Sequence, residues 1–78
     1  MVHENVEKLR KARGITKTHI AKQLNLSLQG YRHMMNGDVR LDVERLKIIA
    51  NVLGVNPSVF FDEKLTESVI YNQTKPIT

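Results

Sequence analysis

A chain of 78 residues with no cysteine holds one small domain that must fold on apolar burial alone. That excludes disulfide staples, thiolate metal sites and thiol catalysis, and leaves little room for a deep enzyme pocket. The formal net charge of +4 is unevenly spread: between Lys8 and Arg40 lie eight basic residues and a single acid, Asp38, so a polyanionic partner would meet this half of the chain.

Apolar spacing and turn chemistry predict five helices. The first runs from about His3 to Arg13, with Val2, Val6, Leu9 and Ala12 at helical spacing and Gly14 as its stop. Thr16 caps the second, which buries Ile20, Ala21 and Leu24 and ends at Asn25, a residue type that tolerates the left-handed conformation. Ser27 caps the third, which stops at Asn36-Gly37, a pair suited to positive backbone angles. Asp42 caps the fourth, whose Val43, Leu46, Ile49, Ala50 and Leu53 share one arc before Gly54 ends it. Asn56 followed by Pro57 opens a short fifth helix carrying Val59, Phe60 and Phe61.

These helices define an all-α domain over residues 1–61. Residues 62–78 read as a short, partly mobile tail in which Leu65 to Ile70 either extend a helix or, over Ser68 to Tyr71, form a strand. The N-terminus has no apolar run of signal-peptide type and no stretch reaches transmembrane length, so a soluble cytoplasmic protein without membrane attachment is expected. His3, His19 and His33 stand too far apart to pair across one helix turn, and no metal or cofactor is expected. No nucleophile stands beside a base and no carboxylates pair in an enclosed site, so the chain reads as a binding module and not an enzyme.

The informative unit is the pair of short helices within 16–36, whose tight turn forces them to cross steeply and exposes the second. At about 100° per residue, Leu28, Arg32, Asn36, Gln29 and His33 fall on one arc of the third helix, with Gly30, Tyr31 and Met34 opposite. The first face suits DNA base edges. Gln29 can bond an adenine in bidentate fashion, Arg32 can fork onto a guanine, and Leu28 can press on a thymine methyl. His33 fits a base contact, a phosphate contact or a plain solvated histidine equally well. Lys17 at the first turn of the second helix, with Asn36 and Arg40 after the third, are the candidates for phosphate contacts. Lys8, Lys11 and Lys22 need be no more than solubilising charges, and Met34 and Met35 read as core filling.

The run from Val6 to Phe61 closely resembles the lambda-repressor-like family of helix-turn-helix proteins, which includes the phage Cro proteins and the xenobiotic-response-element type of bacterial regulator. The elements carrying the resemblance are Leu9-Arg10 with Arg13-Gly14, Ile15-Thr16, Ile20-Ala21 with Leu24, and Leu26-Ser27. Asn36-Gly37, Leu46 with Ile49-Ala50, Leu53-Gly54-Val55 and Phe60-Phe61 complete it.

The resemblance implies a compact five-helix domain from a bacterium or phage. Leu28, Gln29 and His33 then stand at positions that commonly touch bases, and Asn36 matches a backbone-contacting asparagine. The chain departs from the family at three places. Lys17 replaces a frequent glutamine, keeping a phosphate contact but not the amide that braces a neighbouring reader. Leu28 replaces a frequent polar reader. Met35 replaces a glutamate that often pairs with the first-helix arginine, leaving Arg10 to find another partner, for which Glu44 is one choice and solvent the other.

Ile48 and Val52 lie opposite the main apolar arc of the fourth helix and, with Val59, Phe60 or Phe61, make a candidate twofold dimer interface. The Ser68 to Tyr71 strand is a second candidate dimer element. The function expected is that of a sequence-specific, double-stranded-DNA-binding repressor acting as a homodimer on a palindromic operator. The alternative on the same fold is an antitoxin-like module that grips a basic protein partner through the acidic tail. RNA binding is disfavoured, because the one aromatic in the basic half, Tyr31, lies on the packing face.

Overall fold

The computed structural model describes residues 2–37 and 41–74. Five α-helices and one 3-10 helix follow in the order α1 (Val2–Arg13), α2 (Lys17–Gln23), α3 (Leu28–Met35), α4 (Val43–Leu53), the 3-10 helix (Pro57–Phe61) and α5 (Glu63–Thr74). No strand is present among the described residues.

Four of the helices start at a capping side chain that the sequence offers. Thr16 accepts from the His19 N–H, Ser27 from Gly30, Asp42 from Arg45 and Asn56 from Ser58, each satisfying one of the donors a helix N-terminus leaves open. Left-handed backbone ends α2 and α4. Asn25 takes φ 59° in the turn between α2 and α3, and Gly54 takes φ 75° after α4. At the end of α3 the two turn residues divide the work, since Asn36 stays right-handed and only Gly37 takes a positive angle.

The core gathers Val6 and Leu9 from α1, Ile20 and Ala21 from α2, Tyr31 and Met34 from α3, Leu46, Ile49, Ala50 and Leu53 from α4, and Phe60 from the 3-10 helix. Three polar groups are buried with them: Asn5, Arg10 and Thr66. Apolar periodicity does not find such positions, because they are filled by hydrogen bonding. Asn5 donates to the Phe60 carbonyl at 2.8 Å and the Thr66 hydroxyl to the Val59 carbonyl at 2.6 Å.

The strand considered for Ser68 to Tyr71 is replaced by α5, which reaches Thr74. Asp62 starts this helix, its side chain accepting from the N–H groups of Lys64 and Leu65. Thr66, Val69 and Ile70 then fall at helical spacing on the face turned inward, which a strand's alternation would split. α5 packs on α1 and the 3-10 helix. Lys8 of α1, expected only as a solubilising charge, lies 3.1 Å from Glu63 and 3.7 Å from Glu67, and Gln73 donates to the Ala12 carbonyl.

Candidate nucleic-acid interface

α2 and α3 are joined by four residues, Leu24 to Ser27. Leu26 N–H returns to the Ala21 carbonyl at 2.8 Å, and the Leu26 side chain packs against the core. The turn is therefore fixed by backbone bonds and an apolar anchor, and α3 leaves it from Ser27, whose side chain accepts from the Gly30 N–H.

α3 is divided lengthwise. Tyr31 and Met34 are fully enclosed and Met35 packs partly against the core, while Gln29, Arg32, His33 and Asn36 are exposed and Leu28 is half-buried. The arc drawn from sequence thus coincides with the solvent-facing side, apart from the partial cover over Leu28. Thr18, His19, Lys22 and Gln23 are exposed on α2, with Lys17 half-buried at its start. Arg40 lies outside the described residues.

Behind α3 sits a polar cluster that sequence reasoning missed. Arg10 is only 8% exposed, and its counter-charge is not Glu44 but Glu7, one turn earlier on α1. Arg10 Nε donates to Glu7 Oε2 at 3.0 Å and Nη2 to Oε1 at 3.1 Å, a two-pronged contact. Nη1 donates to the Ile15 carbonyl at 2.7 Å, and the Tyr31 hydroxyl completes the cluster by donating to Glu7 Oε2 at 2.8 Å. The i, i+3 spacing of Glu7 and Arg10 was a visible signal. Nothing in the sequence said that Tyr31 would arrive there.

The electrostatics follow from these contacts. Burial opposes ionisation of Glu7, but the hydrogen bonds from Arg10 and Tyr31 and the charges of Arg10 and Lys17 outweigh it and hold the carboxyl below its ordinary value. The bond to Glu7 raises the pKa of Arg10 against the opposing effect of burial. Burial, then the bond to Glu7, pushes the Tyr31 hydroxyl well above the usual phenol range. At neutral pH Glu7 and Arg10 are both charged and matched, and Tyr31 is a neutral donor.

Of the five residues considered for a dimer contact, Val59 and Phe60 are 8% and 0% exposed and belong to the interior. A 3-10 helix turns its consecutive residues to different sides, so only Phe61, 64% exposed, faces solvent with Ile48 at 39%. Val52 packs partly against the core. Among the described residues there is no enclosed pocket, no group of three or more acidic or histidine side chains placed to hold a metal ion, and no helix long and apolar enough to cross a membrane.

Two short capped helices joined by an anchored four-residue turn, the second with one face enclosed and one exposed, define a helix-turn-helix protein of the DNA-binding regulatory class. The Helix-turn-helix family model matches residues 6–60, and the chain belongs to this family, in its xenobiotic-response-element or lambda-repressor-like branch. Neither a curated protein nor a solved structure gives a significant match to the chain.

Proposed function

We propose that the protein is a sequence-specific repressor of transcription, of the small phage or mobile-element kind, that binds a palindromic operator as a dimer with α3 in the major groove. The observation that carries this reading is the division of α3, which leaves Gln29 and Arg32 in solvent while Tyr31 and Met34 are fully enclosed. An amide and a guanidinium on one exposed helical face are the two side chains best suited to bidentate contacts with adenine and guanine edges. Leu28 supplies an apolar contact, and His33 stands beside them as a further reader. Lys17, Asn36 and Arg40 contact phosphates and set the register.

Two reading helices about 34 Å apart would enter successive major grooves on one face of the duplex. Ile48 and Phe61 are the exposed apolar residues offered for the twofold contact. The antitoxin alternative relied on an acidic tail free to grip a basic partner. Two of that tail's acids, Glu63 and Glu67, face Lys8 of α1.

Binding-site selection from random duplex DNA tests the reading as a whole. The expected result is a palindrome whose half-sites are about 10 base pairs apart, centre to centre. Sedimentation on the selected site should give two chains per duplex. Failure to enrich any sequence overturns the reading, and a single chain on a non-palindromic site overturns the dimer.

A further inference from the structure

The cluster behind α3 ties three segments of the chain to one carboxylate. Glu7 lies on α1 and accepts the Tyr31 hydroxyl of α3 at 2.8 Å. Its orientation is fixed by the two-pronged contact with Arg10, which is itself anchored to the Ile15 carbonyl at 2.7 Å. Ile15 immediately precedes Thr16, the cap of α2. Both helices of the motif are therefore referred to the same charged group.

We propose that Tyr31 and Glu7 are positioning residues for DNA reading: their hydrogen bond fixes the rotation of α3 about its own axis, and so the placement of Gln29 and Arg32 in the groove. The inference rests on the role given to α3 under the proposed function. Apolar packing resists lifting α3 off the core, but the hydrophobic effect is non-directional and does not by itself select one rotation of the helix. A hydroxyl donating to an oriented carboxylate is directional and charge-assisted.

The lever is large enough to matter. Side-chain tips stand about 6 Å from a helix axis, so a rotation of about 10° moves them by about 1 Å. Bidentate base contacts tolerate displacements of only about 0.5 Å. Tyr31 lies two positions after Gln29 and one before Arg32, so the pivot sits between the two readers. Contacts to phosphate from Lys17 carry no such requirement, because they act largely through charge.

Tyr31→Phe keeps the ring and removes only the donor. The measurement is the ratio of affinity for the selected operator to affinity for a random duplex of equal length, at a temperature where circular dichroism shows each variant folded. The expected result is a fall in that ratio of about five- to tenfold, the scale of one lost hydrogen bond, with random-duplex affinity unchanged. Glu7→Gln, which weakens the Arg10 contact and the acceptor for Tyr31, should lower the ratio in the same sense. Thr66→Val, which loses a buried hydrogen bond elsewhere, should leave it intact.

If the wild type selects an operator and both cluster variants keep the wild-type ratio, the positioning role is overturned. It is equally overturned if Thr66→Val lowers the ratio as much, since general loosening would then explain the effect. If the wild type selects no operator, the proposed function itself falls and takes this inference with it.

Discussion

The side-chain amide of Asn5 donates to the carbonyl oxygen of Phe60 at 2.8 Å, joining α1 to the 3-10 helix across 55 positions of sequence. Both residues are buried, so the bond is shielded from water and the carbonyl has no solvent to turn to. Asn5→Ala should destabilise the fold by about 1–3 kcal/mol, the cost of leaving a buried acceptor unsatisfied. Urea unfolding at constant slope measures this, and a midpoint equal to wild type would contradict the structural role of the bond.

Glu7 makes stability depend on acid. Its carboxyl titrates below the ordinary value of 4.5 in the folded state. The carboxylate thus contributes stability that is complete above that value and is lost as the pH falls through the folded-state pKa. Glu7→Gln should be less stable than wild type at pH 7, because Arg10 keeps no counter-charge, and the gap should narrow as the pH is lowered beneath 4.5. A gap that stays constant from pH 6 to about 3 would refute the assignment.

The two kinds of DNA contact should separate under salt. Gln29→Ala should weaken operator binding by about 1–3 kcal/mol and relax preference at one base pair, with the salt slope unchanged. Lys17→Ala should weaken operator and random duplex together and reduce the salt slope by about 1. Fluorescence titrations at several salt concentrations distinguish the two. Equal loss on both duplexes for Gln29→Ala would remove it from base reading.

Two of the contacts that hold α5 should differ in weight. The Thr66 hydroxyl is buried against the Val59 carbonyl, so Thr66→Val should cost about 1–2 kcal/mol. Lys8 faces Glu63 and Glu67 in solvent, where ion pairs contribute little, so Lys8→Met should leave the urea midpoint near that of wild type. The reverse order would place the attachment of α5 in its surface charges.

Periodicity and caps carried most of the fold. Val6, Leu9, Ile20, Ala21, Leu46, Ile49, Ala50 and Leu53 all occupy the core positions that their spacing implied, and Thr16, Ser27, Asp42 and Asn56 each cap the expected helix. Val43, expected on the same arc of α4, is instead 63% exposed at the helix's first position, and the other misses turn on tertiary contacts. Asn5 and Thr66 are core residues whose burial depends on a partner 55 or 7 positions away, which a window of helical spacing does not weigh. Residues 68–71 are rich in β-branched types that fit a strand as well as a helix, and it is packing on α1 that settles them. Val59, Phe60 and Phe61 look alike in sequence, and only the 3-10 geometry separates the interior pair from the exposed one.

The same was true of the interface. The exposed arc of α3 was legible because a helix with Tyr31 and Met34 inside must turn Gln29 and Arg32 outward. Arg10's counter-charge was not. Glu7 lies at helical spacing from it, but the Tyr31 hydroxyl that completes the cluster arrives from α3, 24 positions away.

Because α3 keeps its enclosed residues and its solvent-facing residues on separate sides, the residues that hold it to the core and those proposed to touch bases are different letters of the same eight-residue segment. Substitutions at Gln29 and Arg32 can accumulate without being filtered by folding, since exposed positions away from caps and cores usually shift stability by no more than about 0.5 kcal/mol. On the proposed function, a lineage carrying this domain is free to drift from one target sequence to another, while Tyr31 and Met34 hold the scaffold constant beneath it.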